Sequence, residues 1–471
     1  MRDSPISAEN AKAGTLHWQA QFTRFDDPRT LVACPLIRQL RSSRVEGYVS
    51  KTSVARGEAL DLFVSLNPAG RFRLDVYRMG WYGGTGGRHV GSFGPFAAEP
   101  QPMPPETVER LRECRWAKAA TLTIPAEWPS GVYLGKLTRD EPFGAQSYVV
   151  FVVKERRPCE LLCMASDLTW QAYNKWPGTS SLYDDGTPEL WYQGTDVRVS
   201  FDRPYAKYCQ VLDAPLSGGS GEFLLWEHPL CFWLEQQGYD VTYCSNLDLE
   251  LDPGLLAGAK ALLSVGHDEY WSYAMYENVL RARDAGLSVA FLGGNSLYHR
   301  VEFHASSATG APCRAFARER RFDDEDRLMG VKSFGPGYGD WVVTNAKHWL
   351  YAGTGLADGE RIPAIVGWEY HGAPAALEGL EVVADGRLWA AGSDATADDP
   401  SAPLRHQAVI YPGPKGNWVF NAGTIWWSEG LAAPPGHIPA RWNLAGTFGP
   451  MPEVQRITKN VLDRMIADGR R

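Results

Sequence analysis

The sequence predicts an α/β fold in which an immunoglobulin-like β-sandwich precedes a doubly wound, mostly parallel sheet. Two patterns predict it. Runs of alternating apolar and polar residues, broken by Gly and Pro, fill residues 36–156, and apolar strands alternate with amphipathic helices over residues 157–471. Residues 1–35 have weak periodicity and are predicted to form an N-terminal arm packed on the rest. The chain therefore divides into an arm, a sandwich and an α/β domain.

Five segments carry the prediction of a sandwich. Each is a short run with period-two alternation, and turn residues separate one run from the next. The segments are 46–54, 58–66, 71–79, 119–138 and 146–153. The glycine-rich segment 80–91 lacks the lysine and the spacing of a phosphate-binding loop, so we interpret it as the loop of a long hairpin.

The α/β domain begins with the apolar run "CELLCMAS" at 159–166, which is typical of a strand buried on both faces. Further strands are predicted at 239–245, 260–265, 287–293 and 416–424. Helices are predicted at 222–238, 253–259 and 271–286. Residues 296–415 contain several strand-like pieces and are predicted to form an insertion over the sheet.

Charge and hydropathy exclude two classes of partner. The chain has 47 basic and 55 acidic residues, a net charge of −8, which does not indicate a nucleic-acid-binding surface. No basic and then apolar segment opens the sequence, and no apolar run approaches the ~18 residues of a membrane span. We therefore expect a soluble, cytoplasmic protein. Its 18 Trp, 20 Tyr and 18 Phe favour aromatic-lined clefts and a small-molecule ligand.

Four predicted strands end in unusual polar segments. These are "SDLTWQAYN" (166–174), "GHDEYW" (266–271), "GGNS" (293–296) and "NAGT" (421–424). Ligands of open parallel sheets bind at the carboxyl ends of the strands. Because parallel strands end at the same edge, the sequence predicts one site lined by these four loops.

The turn at 266–270 does not carry a hydrolase nucleophile, because its sequence Gly-His-Asp-Glu-Tyr has no Ser or Cys at the tip. His267 and Glu269 are two residues apart, so in an extended backbone both side chains lie on one face. A histidine nitrogen and a carboxylate oxygen can bind Fe, Mn or Zn. The sequence therefore favours a metal site at this turn.

Further metal ligands must come from the neighbouring loops. Asp167 and Tyr173 follow the first strand of the sheet, and "SFDRPY" (200–205) offers Asp202 and Tyr205. A tyrosine binds metal as a phenolate, and its ordinary pKa near 10 must be lowered strongly. Among the candidate cations ferric iron does this best.

Each of these residues also has a structural interpretation. Asp268 and Glu269 can be acids at the start of a helix, which suffices for Asp268. His267 can be a hydrogen-bonded histidine at a strand end, and Tyr173, Tyr205 and Tyr270 can be packing residues. The ligand set therefore depends on whether the loops meet.

A set of motifs in fixed order resembles a known family. The motifs are "TWQAYNKW" (169–176), "SSLY" (180–183), "SFDRPY" (200–205), "VGHDEYWS" (265–272), "FLGGNSLYHRV" (291–301) and "VFNAGTIWWSEGL" (419–431). Together, over about 159–465, they resemble the C-terminal catalytic region of the large (beta) subunit of N,N-dimethylformamidase and its relatives. The resemblance implies a fold similar to class I glutamine amidotransferases.

The same resemblance implies mononuclear iron held by two tyrosines and a glutamate, with a histidine close by. By motif, the glutamate and the histidine correspond to Glu269 and His267, and the tyrosines to Tyr173 and Tyr205. Tyr183, Tyr192 and Tyr208 compete for the two tyrosine positions. Asn295 of "GGNS" matches a polar residue near that family's site.

The predicted function is therefore an iron-dependent hydrolase of the C–N bond of a small amide, with zinc or manganese as alternative metals. His267 would shuttle a proton to the leaving amine, and Asn295 would donate to the oxyanion. A non-catalytic accessory protein that binds carbohydrate or protein through an aromatic rim is the alternative. No small subunit is evident, and a homo-oligomer is compatible with the sequence.

Overall fold

The computed structural model describes residues 4–20, 41–142, 144–188, 191–206, 222–390, 404–437 and 449–469. Of the predicted arm, residues 4–20 are described, and residues 21–35 lie outside that part of the chain. Helix α1 (Pro5–Asn10) opens it, and Ile6 and Trp18 are buried in the same core as the α/β domain. No helix in the described ranges is both long enough and apolar enough to span a bilayer.

Residues 45–154 form two sheets that face each other. The strands are β1 (Val45–Val49), β2 (Ser53–Ala55), β3 (Ala59–Leu66), β4 (Gly70–Met79), β5 (Gly87–Ala98), β6 (Lys118–Thr123), β7 (Gly131–Arg139) and β8 (Gln146–Lys154). One sheet has the order β1-β3-β6 and the other β2-β8-β7-β4-β5. Alternate apolar residues such as Leu62 and Leu74 meet in one core between them. All five predicted segments contain strands, but 46–54 and 119–138 each contain two. Only residues 80–86 of the predicted 80–91 loop join the hairpin, because residues 87–91 belong to β5.

The α/β domain is built on a nine-stranded sheet with the order β11-β9-β12-β14-β23-β22-β21-β18-β19. Its strands are β9 (Cys159–Ala165), β11 (Val241–Ser245), β12 (Ala259–His267), β14 (Ser288–Gly294), β18 (Tyr338–Val342), β19 (Arg361–Val366), β21 (Glu381–Ala390), β22 (Arg405–Pro412) and β23 (Trp418–Asn421). The pairs from β11 to β23 are parallel, and the pairs from β23 to β19 are antiparallel. The prediction of a mostly parallel sheet therefore holds for one half only.

The antiparallel half of the sheet comes mostly from residues 296–415, whose strands the sequence pattern did not define clearly. Strands β18, β19, β21 and β22 all lie within residues 296–415. They extend the sheet at its edge, so the prediction that this region lies over the sheet is wrong for these strands. Strand β22 pairs antiparallel with β23. Strands β21, β18 and β19 follow in that order across the sheet, each antiparallel to its neighbour.

Helices cover both faces of the sheet, as a doubly wound sheet requires. They are α2 (Asp167–Ala172), α3 (His228–Gln237), α4 (Asn246–Leu251), α5 (Tyr273–Asp284), α6 (Asp326–Met329) and α7 (Pro452–Asp468). Helices α3 and α7 pack in one core, and α4 and α5 in the other. Strand β9 serves both cores, because Leu161 and Leu162 point to opposite faces.

Shorter elements surround the carboxyl edge of the parallel strands. One small sheet has the order β10 (Arg198–Ser200), β16 (Ala315–Arg321), β15 (His299–His304) and β13 (Tyr270–Trp271), and another pairs β17 (Lys332–Pro336) with β20 (Glu369–Gly372). A π-helical turn, Phe223–Glu227, leads into α3. The 3-10 turns are Tyr82–Gly84, Val108–Arg110, Pro253–Gly258, Trp349–Tyr351 and Ile425–Gly430.

Candidate metal and amide site

The four polar loops predicted to meet do share one edge. Strands β9, β12, β14 and β23 are consecutive neighbours and parallel, so the loops that follow them begin side by side. Glycines allow the close approach of these loops. Gly266 has a φ of 67°, and a Cβ there would lie 2.5 Å from Cβ of Trp226. A Cβ on Gly294 would lie 2.4 Å from the carbonyl oxygen of Glu369.

Glu269 is the centre of the site. It is buried, and its backbone N–H donates to Oγ1 of Thr169 at 3.0 Å, which fixes the turn to α2. The Tyr173 hydroxyl donates to Oε2 of Glu269 at 2.8 Å. The Tyr183 hydroxyl lies 3.0 and 2.9 Å from the two carboxylate oxygens and 2.8 Å from the Tyr173 hydroxyl. Two phenols and one carboxylate therefore form a single buried cluster.

Two histidines flank this carboxylate. Nε2 of His267 lies 3.4 Å from Oε2 of Glu269, and Nδ1 of His299 lies 2.9 Å from Oε1. Burial by itself would raise the pKa of Glu269, but the hydrogen bonds and charges of His267 and His299 hold that pKa below its ordinary value. Burial lowers the pKa of His299 despite its contact with Glu269.

Glu369 of β20 adds a second carboxylate that the sequence did not identify. Its Oε2 lies 2.9 Å from Nε2 of His267. Burial raises the pKa of Glu369, and the opposite charge of His267 acts against this rise. Burial would lower the pKa of His267, but Glu369 and Glu269 raise it to about 10. The two groups therefore interact as a buried pair of opposite charge.

A chain of hydrogen bonds connects Tyr183 to Tyr270 and Arg318. The Tyr270 hydroxyl donates to the Tyr183 hydroxyl at 2.6 Å, and Nη2 of Arg318 donates to Tyr270 at 3.0 Å. The Arg318 guanidinium also lies 4.3 Å from the Tyr183 ring centre. Burial and the negative charge of Glu269 raise the pKa of Tyr173 and of Tyr183 well above 10. A cation is therefore needed to make either one a phenolate.

Asn295 follows β14 at the same edge and adopts a φ of 52°. Its Nδ2 donates to the carbonyl oxygen of Phe334 at 3.1 Å, while its buried Oδ1 has no partner among the described residues. The partner carbonyl fixes the orientation of the amide, since a flipped side chain would set two acceptors together. Asn295 therefore offers a free acceptor as well as a donor.

The two predicted tyrosines have different surroundings. Tyr173 is in the cluster around Glu269, whereas Tyr205 packs against the large core beside α3 and β9, partly buried. Among the described residues no hydrogen bond joins Tyr205 to Glu269 or His267. Tyr183 is the second tyrosine that the structure brings to Glu269. Of the other competitors, Tyr192 accepts from Arg318 through its carbonyl, and Tyr208 lies outside the described residues.

Three acids of the predicted loops have structural partners. Asp167 accepts from Ser245 and from the backbone of Asn246, and Asp202 pairs with Arg314. Asp268 accepts from Ser264 at 2.7 Å and from Asn246 at 3.1 Å. The interpretation of Asp268 as a helix-start acid is wrong, because α5 begins at Tyr273 with Ser272 as its N-cap. Tyr270 does more than pack, since it hydrogen-bonds Tyr183.

The residues at this centre fit a metal by the chemistry of their donor atoms. Both ring nitrogens of buried His267 and Oε2 of buried Glu369 lack a well-directed hydrogen bond within the described part of the chain. Nε2 of His267 and Oε2 of Glu369 are both atoms that can bind a metal. They lie 2.9 Å apart, but their geometry is not that of a hydrogen bond. Within the described ranges no group of three or more His, Cys, Asp and Glu side chains has the arrangement of a metal site.

Two signals could have found some of the residues that the sequence analysis missed. Tyr183 stands in a quoted motif, and "YHRV" placed His299 at the end of the same motif as Asn295. Glu369 and Arg318 had no local signal. They reach the site from β20 and β16, in the region that the sequence did not resolve into strands.

The fold and the site define a class of protein: an α/β protein with a buried tyrosine–carboxylate–histidine centre at the carboxyl edge of its parallel strands. A family model described as "N,N-dimethylformamidase beta subunit-like, C-terminal" matches residues 73–440. The chain belongs to this family. The match begins within the two-sheet region at β4, earlier than the 159 at which the motifs begin. No curated protein matches the chain.

Proposed function

We propose that the protein is a metal-dependent amidohydrolase that cleaves the C–N bond of a small amide, with ferric iron as the metal and zinc or manganese as alternatives. One observation carries the proposal: two tyrosine hydroxyls lie within 3.0 Å of the Glu269 carboxylate, with His267 beside it. Hard oxygen donors of this kind suit a trivalent cation. The family description supports the reaction class.

Tyr173, Tyr183 and Glu269 would hold the metal, with His267 at its side. The set predicted from the sequence, with Tyr205 in place of Tyr183, remains open to test. Ferric iron in this position supplies Lewis-acid chemistry, which lowers the pKa of a water and polarises the amide carbonyl.

The chain's own residues handle the protons. In the reaction the water oxygen bonds to the carbonyl carbon, the C–N bond breaks, and the amine leaves with a proton. His267, charged beside Glu369 at 2.9 Å from Nε2, gives its proton to the leaving nitrogen, and the Glu369 carboxylate accepts the proton that the water loses and returns it to His267. Asn295 donates to the developing oxyanion through Nδ2, and its Oδ1 accepts from an amide N–H.

The finer points of fold and cellular context belong to the same proposal. The parallel half-sheet with helices on both faces supports a glutamine amidotransferase-like domain, and the paired sheets of residues 45–154 support an immunoglobulin-like one. We also propose a cytoplasmic protein, active on a small molecule and capable of forming a homo-oligomer. The family's beta-subunit description supports an assembly of more than one chain.

Metal content and colour test the proposal directly, because phenolate-bound ferric iron absorbs visible light. We expect purified protein to be coloured, to contain about one iron per chain, and to release ammonia or an amine from small amides. Glu269→Ala should lose both iron and colour. A colourless protein that cannot be loaded with iron would overturn the iron assignment. Loaded protein without amide turnover would favour the non-catalytic binding function.

A further inference from the structure

Glu222 is a buried carboxylate that the proposed reaction does not use. It is 1% exposed and begins the segment that leads into the π-helical turn at Phe223–Glu227. Neither carboxylate oxygen has a hydrogen-bond partner among the described residues. A buried carboxylate without a partner destabilises the fold unless a ligand or a proton compensates it.

Glu222 faces the candidate site. The charges of His267, Glu269 and Glu369 all act on its carboxyl group, so the four groups share one buried region. Trp226, four residues further along, contacts the chain at Gly266, directly before His267. The segment that carries Glu222 therefore packs on the end of β12 where the site begins.

The other acids of the region already have cationic or polar partners. Glu269 has His267 and His299 and the two tyrosines, and Glu369 has His267. Glu222 has no hydrogen-bond partner in the described part of the chain, and burial raises the pKa of its carboxyl group to about 7, so a cationic group beside it would stabilise the ionised form. A substrate with a positive group would supply the missing countercharge.

Aromatic side chains connect this region to the surface. Trp191 is 37% exposed and lies 5.3 Å from the Tyr183 ring and 6.4 Å from the Trp368 ring. Trp368 packs in one cluster with Trp226 and Trp426. Indole faces attract alkylammonium groups, and this attraction strengthens where water is excluded. Trp191 and Trp368 therefore place aromatic faces between solvent and the Tyr183 side of the site.

We propose that Glu222 binds the ammonium group of the substrate, so that the preferred substrates are small amides that carry a basic amine. This inference rests on the proposed amide hydrolysis and names its substrate class. Glu222 does not contact the reacting carbonyl in this assignment. It is a specificity-determining residue, and its loss should discriminate between charged and neutral amides of the same size.

Glycinamide and propionamide form a matched pair, because the ammonium group of one replaces the methyl group of the other. At pH 7.0 the amino group, with an ordinary pKa of about 7.7–8.0, is mostly charged, and Glu222, with a pKa of about 7, is about half ionised before the ammonium group binds. We expect native protein to favour glycinamide by at least about 10-fold in kcat/KM. Glu222→Gln should lower kcat/KM for glycinamide by about 10- to 100-fold, mainly through KM, and change that for propionamide by less than about 3-fold.

Glu227→Gln is the matched control, because Glu227 is equally buried in the same segment but accepts from Trp170 at 2.6 Å. It should leave the preference for glycinamide unchanged. Circular dichroism and iron content check that both variants fold and keep the metal. If Glu222→Gln does not fold, Glu222→Asp replaces it, and the shorter carboxylate should weaken the preference for glycinamide.

Three results would overturn the inference: a native preference for propionamide, an equal loss for both amides in Glu222→Gln, or a loss of iron from that variant. If native protein hydrolyses neither amide, the proposed function fails. The binding of glycinamide then tests whether Glu222 holds an ammonium group. Calorimetry should then still show glycinamide binding that Glu222→Gln weakens by at least about 10-fold. Equal or absent binding in both proteins would refute the ammonium site.

Discussion

Arg78 of the sandwich and Glu235 of helix α3 form an ion pair in which neither side chain is exposed to solvent, with 2.8 Å between Nη2 and Oε1. The pair joins the two folded regions of the chain. Nε and Nη2 of Arg78 also donate to the carbonyl oxygen of Ser130, and Nη1 donates to the Tyr82 hydroxyl. Asn10 of the N-terminal arm and Tyr243 donate to Glu235. Arm, sandwich and α/β domain therefore meet at one charge pair.

We expect Arg78→Met to lower the free energy of unfolding by about 3–5 kcal/mol, because it leaves the Glu235 carboxylate buried without its countercharge. Arg73→Met on the same strand is the control. Arg73 is 56% exposed and pairs with Asp75, so its loss should cost less than about 1 kcal/mol. Urea unfolding measures both values. An equal decrease in the free energy of unfolding in the two variants would mean that the buried pair does not stabilise the contact between the sandwich and the α/β domain.

The choice between Tyr183 and Tyr205 has a direct test. Tyr183→Phe removes the hydroxyl that contacts both oxygens of Glu269, so we expect iron affinity to fall by more than about 10-fold and the visible band to shift. Tyr205→Phe should leave iron content and colour unchanged. Metal analysis and absorption spectra of the two proteins decide. The reverse outcome would restore Tyr205 as the ligand and require the loop at 200–205 to move.

Gly266 holds the turn before His267 in place. Gly266→Ala must tolerate a φ of 67° and a Cβ 2.5 Å from Trp226, so we expect it to lower the free energy of unfolding by more than about 2 kcal/mol and to reduce iron content. Gly310→Ala is the matched control. Gly310 has a φ of 71° but open space around its Cβ, so it should show only the backbone strain of about 1–2 kcal/mol. A similar decrease in the free energy of unfolding in both variants would mean that the contact of the new Cβ with Trp226 costs no stability.

Acid should destabilise the protein partly through His406. This side chain is fully buried, its Nε2 lies 2.8 Å from the carbonyl oxygen of Ala422, and burial lowers its pKa from 6.5 to about 4. Between pH 6.5 and 4 the unfolded chain binds a proton at His406 and the folded chain does not. Stability from this group is therefore complete above pH 6.5 and is lost, by about 3 kcal/mol, as the pH falls to 4.

His406→Gln isolates this contribution, since the amide can still donate to Ala422 but does not titrate. The gap in unfolding free energy between native protein and variant should narrow by up to about 3 kcal/mol from pH 7 to pH 4. Urea unfolding at several pH values provides the comparison. A constant gap for His406→Gln would show that His406 does not titrate as its burial predicts.

The pattern of apolar and polar residues was enough to predict the parallel strands and the edge of the sheet on which the site lies. Apolar runs such as Cys159–Ala165 and Ala259–His267 are legible because a strand buried on both faces has no polar alternation to obscure it. The rule that parallel strands end at one edge then placed Tyr173, His267, Glu269 and Asn295 together. These four residues needed no tertiary information beyond the order of the strands.

The remaining residues depended on contacts that spacing does not encode. Glu369 lies on β20, about 100 residues from His267, and the pairing of β20 with β17 and its bridge to Thr424 bring it to the site. Asp268 resembled a helix cap because acids favour helix starts, but the two-residue strand β13 delays the helix to Tyr273. The resemblance favoured Tyr205 and left Tyr183 as a competitor, since both lie in quoted motifs after the first strand.

The position of β23 has a consequence for synthesis. This strand lies between β14 and β22 in the middle of the nine-stranded sheet, yet it comes from residues 418–421, late in the chain. A nascent chain on the ribosome that has not yet exposed these residues leaves the hydrogen-bonding edge of β14 open. The α/β domain therefore completes its sheet only after residues 418–421 have been synthesised, although β9, β11, β12 and β14 precede them by more than 120 residues.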